Sequence, residues 1–307
     1  MNITGVLVSI VAPFENHIAN GGDKLLGNAN SIKRRPDGRV YVSGQMQRHV
    51  LFSAMDRLNM VDPDKKDTFL SNADGITSLI EKDLRADLGG FMATKKGGYT
   101  QRRSAPLSTT YAVSLNDSHV GRDLLVRIKY DHKAKDQQVI ATKEFSEQDS
   151  MLMNFHLDVS ALSISKLFNY EKTLNIGVKY VKHATEQERK RRVKLYLEAT
   201  RMMNDYANQA RNAICGEPEK VFIVFDEHLS RKAMRYFSAD EQERKNIIAE
   251  LDSRNAKYFI GDDKTENSVN KAYSDALAFL EANNLFDPSE KDERGNEIIK
   301  KYEDIFK

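Results

Sequence analysis

The sequence has very little cysteine: Cys215 is the single one among 307 residues. One cysteine cannot form an intramolecular disulfide, so the chain is compatible with a reducing compartment. Cys215 stands near the end of a predicted helix, and we therefore expect a small buried residue there rather than a nucleophile.

Long apolar runs are also missing. The apolar stretch from Gly5 to Ala12 has no basic leader, and it is too short for a membrane span or for a signal peptide with its cleavage site. We expect it to form a buried strand, and we expect a cytoplasmic protein with no membrane contact.

The common motifs of nucleotide and metal chemistry are absent. The sequence contains no Gly-x-x-x-x-Gly-Lys-Ser/Thr loop, no Gly-x-Gly-x-x-Gly, no His-Glu-x-x-His and no Cys-x-x-Cys. Its seven histidines are scattered, and an isolated histidine is more often a structural residue than a general base. The motifs therefore support neither nucleotide hydrolysis nor a zinc site, and we expect no cofactor and no metal.

The charges balance overall but are unevenly distributed. There are 47 Lys and Arg against 45 Asp and Glu, yet residues 240–307 hold 17 acidic and 11 basic side chains. Residues 1–239 therefore carry a net charge of +8, concentrated in residues 24–57 and 95–103. This distribution predicts an anion-binding surface in the N-terminal part of the chain.

The segment from Lys33 to Met55 combines positive charge with a helix start. It is predicted to form a basic strand, a Pro-Asp-Gly turn, a second strand from Arg39 to Val42, and a helix capped by Ser43. Basic side chains beside unpaired helix amides favour a phosphate chain over a small metabolite.

Hydrophobic periodicity predicts an α+β fold of ferredoxin-like, RNA-recognition-like order βαββαβ with a large insertion. We expect a discontinuous palm over residues 1–58 and 105–230, an inserted finger over 59–104, and a helical extension over 231–307. The predicted strands are 3–12, 111–115, 124–130, 151–159, 221–225 and 257–260, and the predicted helices are 44–58, 76–88, 185–216, 238–251 and 269–283.

Three stretches of the first sixty residues resemble one known family. Ile3 to Ser9, Asn20-Gly21-Gly22-Asp23 and above all Gly38 to His49 resemble the DevR-type (RAMP) backbone subunit of type I CRISPR Cascade complexes. The resemblance implies a palm with inserted finger and thumb elements, and a CRISPR RNA (crRNA) along which copies of the protein stack as a helical filament. It also implies other Cascade subunits and target DNA, paired through the guide, as partners, and no catalytic activity.

The resemblance places Gln45, Gln47 and Arg48 on the phosphates of the guide, with Ser43 and Gly44 supplying backbone donors. Physical chemistry agrees, because arginine and helix N-terminal amides make phosphate contacts that do not depend on sequence. The alternative is that Arg48 merely solvates the outer face of the helix.

Two further groups of basic residues are also predicted to contact nucleic acid, each with its own alternative. Lys33, Arg34, Arg35 and Arg39 either contact RNA or protect an edge strand from aggregation. A second basic segment could close over the guide or receive target DNA, and it consists of Lys95, Lys96, Arg102 and Arg103. The run from Arg189 to Arg192 lies beside glutamates in a helix, and we expect a solvated face there.

Asp23 allows a different function. Related backbone subunits of type III complexes cut target RNA with an aspartate after the first strand, and Asn20 to Asp23 looks similar. We favour a turn at Gly22-Asp23. Two alternatives to a Cascade backbone subunit therefore stay open: an endoribonuclease that uses Asp23, and a free-standing RNA-binding module.

Overall fold

The computed structural model describes residues 1–25, 29–72, 75, 77–94, 100–129 and 137–306, and the chain has an α+β fold. The helices are α1 (Gly44–Val61), α2 (Leu84–Gly89), α3 (Glu186–Thr200), α4 (Glu241–Ser253) and α5 (Val269–Ala282), with 3₁₀ helices at Lys232–Ser238 and Tyr302–Phe306. The strands are β1 (Asn2–Ile3), β2 (Gly5–His17), β3 (Asp23–Lys24), β4 (Asn30–Ser31), β5 (Tyr41–Val42), β6 (Phe91–Thr94), β7 (Thr100–Arg103), β8 (Leu107–Thr109), β9 (Ala112–Ser114), β10 (Val120–Lys129), β11 (Gln137–Asp158), β12 (Ile164–Glu171), β13 (Leu174–Lys182), β14 (Lys220–Asp226), β15 (Lys257–Asp262) and β16 (Asn284–Leu285).

The central sheet is built around β2. Its neighbours are β11 on one side and β14 on the other, both antiparallel, and β15 pairs with β14 at the edge. On its side away from β2, β11 pairs with β8, β9 and β10, and β9 in turn pairs with β5. The predicted strand before Pro13 is therefore confirmed as a central strand, but it continues through the proline to His17.

Alternation along β2 divides the core into two layers. Val6, Val8 and Ile10 face the main core, where α1, α3 and α5 pack, whereas Leu7 faces a smaller cluster formed with α4 and the first 3₁₀ helix. Successive side chains of a strand point to opposite faces, which gives one strand two buried sides. The sheet is thus covered on both faces around β2 and β14.

Helix α1 begins where the sequence predicts. The Ser43 hydroxyl accepts a hydrogen bond from the Met46 amide at 3.2 Å, and Ser43 has extended backbone angles. Val50, Leu51, Ala54 and Met55 form the buried side of the helix. Ser43 therefore fixes the N-terminus of α1 directly after the short strand β5.

The expectation of a solvated face at Arg189–Arg192 is wrong. Arg189 and Arg192 are fully buried, and Arg191 is nearly so. Arg192 pairs with Glu188 and Asp87, and Arg189 donates to the carbonyls of Leu162, Val159 and Phe286. The charges are tolerated inside because carboxylates and carbonyls satisfy their donors.

Helix α3 is shorter than predicted. It ends at Thr200, whereas the apolar spacing continues to Ile214. Met203 and Ile214 are buried as expected, but they lie in irregular backbone outside the helix, and Asn208 has a φ of 63° that no α-helix contains. Cys215 follows this irregular segment and is exposed, so the expectation of a buried cysteine is also wrong.

Two other boundaries and one hairpin differ from the predictions. Asp240 rather than Ser238 caps α4, with its carboxylate accepting from the Glu243 amide. The predicted helix over 76–88 is helical from Leu84 only, behind the cap residue Asp83. The hairpin of β12 and β13 was not predicted, although Leu174, Ile176 and Val178 recur at every second position along β13.

The C-terminal residues return to the main body. β15 joins the sheet, Tyr273 of α5 is fully buried in the main core, and β16 pairs in parallel with β1. Beyond β16, the chain crosses β13, where Lys182 and Ile299 form an isolated bridge. In the part of the chain that the structure describes, the helices are too short or too polar to cross a membrane.

Candidate nucleic-acid interface

Asn20 organises the loop before the basic segment. Its side-chain amide donates to the carbonyls of Lys33 and Tyr41, both at 2.9 Å, and its oxygen accepts from the Gly22 amide at 3.0 Å. Gly22 has a φ of 68°, and a Cβ there would lie 2.8 Å from the Ser31 carbonyl oxygen. Glycine is therefore needed at this position, and Asn20 ties the loop to both ends of the basic hairpin.

The four basic residues of this hairpin each have an acidic partner. Lys33 pairs with Asp23 at 3.6 Å, and Arg34 pairs with the buried Glu144 at 3.4 Å. The carboxylate of Asp37, in the turn, forms ion pairs with both Arg35, at 3.7 Å, and Arg39, at 2.8 Å. Their charge is therefore partly compensated inside the protein.

The N-terminus of α1 leaves backbone donors available. The first intrahelical hydrogen bond runs from the Gln47 amide to the Ser43 carbonyl, so the amides of Gly44 and Gln45 precede it. Gly44 lies close to Thr109, whose hydroxyl donates to the Gly44 carbonyl at 3.1 Å. The helix start is thereby held against β8, and its positive dipole end favours an anion.

The two predicted glutamines have opposite environments. Gln45 is exposed, as a ligand-contacting residue must be. Gln47 is fully buried, and its Oε1 accepts a hydrogen bond from the Tyr206 hydroxyl at 3.1 Å. This hydrogen bond holds α1 against the segment after α3.

Arg48 lies on the next turn of α1. It is half-buried, donates to the Gly89 carbonyl, and places its Cζ 5.5 Å from the centroid of the Phe52 ring. Burial lowers the pKa of Arg48, and the positive charge of Arg85 lowers it further. Unlike the hairpin cations, Arg48 has no carboxylate within 4.0 Å among the described residues.

A pair of tyrosines stands beside this helix start. The rings of Tyr41 and Tyr111 are stacked, with centroids 5.5 Å apart and planes at 11°, and Tyr111 is 57% exposed. Aromatic faces of this kind can stack on nucleobases. Neither tyrosine was predicted as a site residue, because a single tyrosine beside a short strand carries no signal of its own.

The second basic segment is divided by the structure. Lys95 and Lys96 lie outside the described residues. Arg102 is exposed beside a cleft of about 620 Å³ lined also by Lys166 and Tyr180. Arg103 is directed inward and donates to the Asp87 carboxylate and to the carbonyls of Asp87, Ile164 and Ala161, which makes it part of the buried network.

Asp23 is exposed, and its carboxylate has Lys33 as its ion-pair partner. The acidic group with metal-ligand spacing in the described part of the chain is elsewhere, at Glu186, Asp287 and Glu297. Lys182 forms ion pairs with all three, so an ammonium group already compensates part of the negative charge of that cluster.

Comparison with known proteins gives a consistent result. A family model described as "CRISPR-associated negative auto-regulator DevR/Csa2" matches residues 27–213, about three fifths of the chain. No curated protein sequence matches. A solved chain of a "CRISPR RNA-guided surveillance complex" is similar, with a TM-score of 0.50 and 14% identity over 90% of this chain and 99% of that one. A chain of a "CRISPR RNA-guided surveillance complex, pre-nicking" has a TM-score of 0.54 and 12% identity over 90% and 100%.

Proposed function

The chain belongs to the CRISPR-associated DevR/Csa2 family, and we propose that it is the crRNA-binding backbone subunit of a type I surveillance complex. In this role it binds the guide along its phosphates and presents it for pairing with target DNA. The observation that carries the proposal is the start of α1, where the Gly44 and Gln45 amides precede the first intrahelical hydrogen bond and adjoin Arg48, which has no carboxylate within 4.0 Å among the described residues.

The proposed contact set begins with Ser43, Gly44, Gln45 and Arg48. The helix amides and the guanidinium bind phosphate without reading the bases, which suits a protein whose specificity comes from guide pairing. Lys33, Arg34, Arg35 and Arg39 add a positive field beside the site, weakened by their acidic partners.

The second basic segment has a lesser part in the proposal. Arg102 is exposed and can reach nucleic acid. Lys95 and Lys96 are included in the proposed contact set only because they are positively charged. Gln47 and Arg103 support the site from within, through Tyr206 and Asp87 respectively.

We infer that the sheet is a ferredoxin-like palm. The order β14-β2-β11-β8, with α1 after β2 and α3 after β11, corresponds to the 4-1-3-2 order of a βαββαβ unit. In this assignment residues 1–58 and 105–230 form the palm, residues 59–104 are the inserted finger, and residues 231–307 are an extension that adds β15 to the palm's edge.

The proposed partners are further copies of this chain, other subunits of the complex, crRNA and target DNA. Two hairpins present apolar side chains that nothing covers in the described part of the chain. These exposed residues are Leu124, Val126 and Ile140 on β10 and β11, and Phe168, Tyr170, Leu174, Ile176 and Val178 on β12 and β13. Exposed apolar patches of this kind mark protein contacts, and assembly in the cytoplasm would cover them.

We propose no catalytic activity for the chain. The endoribonuclease alternative requires Asp23 to act on a phosphodiester, and its pairing with Lys33 gives this carboxylate a structural role in the loop. Incubation of the assembled complex with labelled complementary RNA and Mg²⁺ tests this point. Regularly spaced cuts that disappear in Asp23→Ala would establish the endoribonuclease instead.

The central experiment is to sequence the RNA that copurifies with the protein. We expect one class of guide derived from CRISPR repeats, and a mixed cellular RNA population would favour a free-standing RNA-binding module. Arg48→Ala should weaken binding to all guide sequences about equally, since phosphate contacts are sequence-blind. Arg57→Ala is the matched control, because Arg57 lies on the same helix but bonds to Ser53 and Met202.

A further inference from the structure

Arg48 and Arg85 share one aromatic ring as a platform. Their Cζ atoms lie 5.5 Å and 4.7 Å from the centroid of Phe52, so the two guanidinium carbons are at most 10.2 Å apart. Phe52 is fully buried, and both arginines are half-buried. Two like charges therefore lie within 10.2 Å of each other at the edge of the core, where solvent screens them less than at an open surface.

Neither arginine has an acid to neutralise it. Among the described residues, the other buried or half-buried arginines each have a carboxylate within 4.0 Å, whereas Arg48 and Arg85 have none. The paired arginines are Arg39, Arg103, Arg189, Arg191, Arg192, Arg201 and Arg254. This contrast indicates a place for an external anion, because the other buried and half-buried guanidinium groups of the described residues are compensated by carboxylates.

The nearest acids do not fill this role. Asp83 and Asp56 raise the pKa of Arg85 against the larger effect of its burial, yet neither approaches within ion-pair distance. Asp83 is already engaged as the cap of α2, where it accepts from the amides of Arg85 and Ser71 and from the Thr77 hydroxyl. The Nε of Arg85 is buried and has no hydrogen-bond partner among the residues that the structure describes.

We propose that Arg48 and Arg85 together bind one phosphate of the bound RNA, with Phe52 as the rigid floor beneath them. This inference rests on the proposed function and adds Arg85, from the inserted segment, to the contact set. Two planar guanidinium groups can offer paired N–H donors to the oxygens of one phosphate. The amides of Gly44 and Gln45, one turn earlier, are then free for an adjacent phosphate.

Gly89 fits this arrangement. Its carbonyl accepts one hydrogen bond from Arg48, which orients the guanidinium and leaves its other donors available. A Cβ at Gly89 would lie 3.2 Å from the Phe52 ring and would overlap the Arg48 guanidinium. The glycine thus leaves the space that Arg48 occupies over the ring.

The test measures binding of a short single-stranded RNA of mixed sequence to the full-length protein as salt is varied. We expect Arg85→Gln to weaken binding about tenfold and to reduce the salt slope by about 0.7, the change for one single-strand phosphate contact. Arg85→Lys should keep the slope, because it keeps the charge. Arg57→Gln, on the outer part of α1, is the control for loss of a positive charge away from the ring, and thermal melting checks that each variant folds.

The double variant Arg48→Gln/Arg85→Gln decides whether one phosphate is shared. A slope change equal to that of either single variant supports the shared site, whereas twice that change means two separate phosphates and overturns the proposal. If wild-type protein binds RNA and Arg48→Gln weakens it while Arg85→Gln has no effect, only the role of Arg85 fails. If wild-type protein shows no salt-dependent RNA binding, the proposed function itself fails.

Discussion

The guanidinium of Arg192 and the carboxylate of Asp87 meet 2.6 Å apart in the interior, where neither side chain reaches solvent. Asp87 also forms an ion pair with Arg103 and accepts a hydrogen bond from the Ser163 hydroxyl. Burial opposes ionisation of Asp87, but the two arginines and these hydrogen bonds outweigh it and lower the pKa of the carboxyl below 3.8. One carboxylate therefore joins α2, β7 and α3.

Asp87→Asn should destabilise the protein strongly, because it removes the charge that compensates two buried guanidinium groups. We expect the free energy of unfolding to fall by about 3–5 kcal/mol, measured by urea denaturation. Glu241→Gln is the control, since Glu241 forms an exposed pair with Lys245 and should leave the unfolding midpoint unchanged. A midpoint for Asp87→Asn equal to the wild-type value would contradict the buried network.

Because His156 is buried, we expect the protein to lose stability in mild acid. Burial, and then the charge of Arg231, lower the pKa of His156 from 6.5 to about 4. The unfolded chain therefore binds a proton at higher pH than the folded protein, and stability is full above pH 6.5 and decreases as the pH falls toward 4. The free energy of unfolding should fall by up to about 3 kcal/mol.

His156→Phe is the variant that isolates this effect. It removes the titrating group while keeping an aromatic ring, so the free energy of unfolding should vary less between pH 6.5 and 4 than in the wild type. Urea denaturation across this pH range measures the difference. Parallel pH profiles for the two proteins would show that other groups cause the acid sensitivity.

Asn20→Leu should separate the geometry of the interface from its charge. The leucine is uncharged and similar in size, but it loses both donations to the Lys33 and Tyr41 carbonyls and the acceptor for the Gly22 amide. We expect about 1–3 kcal/mol of destabilisation and RNA binding weakened several-fold. The salt slope should stay at the wild-type value, because no phosphate-binding cation is removed; a slope lowered as in Arg48→Gln would mean that Asn20 acts through charge.

Lys182→Met should release the C-terminal segment. The buried Lys182 ammonium pairs with Asp287 at 2.6 Å and also with Glu297, and the Lys182 carbonyl accepts from the Lys300 amide. Without the ammonium, the carboxylates repel one another across a partly buried space. Limited proteolysis should cut residues 286–306 faster in Lys182→Met than in wild type, and Lys182→Arg, which keeps the charge, should restore resistance. Equal cleavage rates in all three proteins would count against this contact as the fastening point.

Local patterns predicted much of the fold. The alternation in β2, the cap at Ser43 and the buried run of β14 depend on neighbours a few residues apart, and each lies where it was predicted. The start of the candidate site was predictable for the same reason, since Ser43, Gly44 and Gln45 precede the first turn of a capped helix.

Long-range partners were beyond such patterns. Arg192 has glutamates as near neighbours in the sequence, which favours a solvated helix face, but its second partner Asp87 is 105 residues away. Gln47 is likewise buried by Tyr206, 159 residues further along the chain. A residue's burial depends on which distant segment covers it, and periodicity does not contain that information.

The segment from Lys33 to Met55 shows both contributions. The sequence alone determined that a basic hairpin leads into a capped helix, because turn residues, a capping serine and apolar spacing act locally. Only the tertiary structure decided which cations keep uncompensated charge: it brought the distant Glu144 to Arg34, and set Arg48 beside Arg85 over Phe52. The reason is physical, since compensation of a charge depends on distances of a few ångströms between segments that are far apart in the chain.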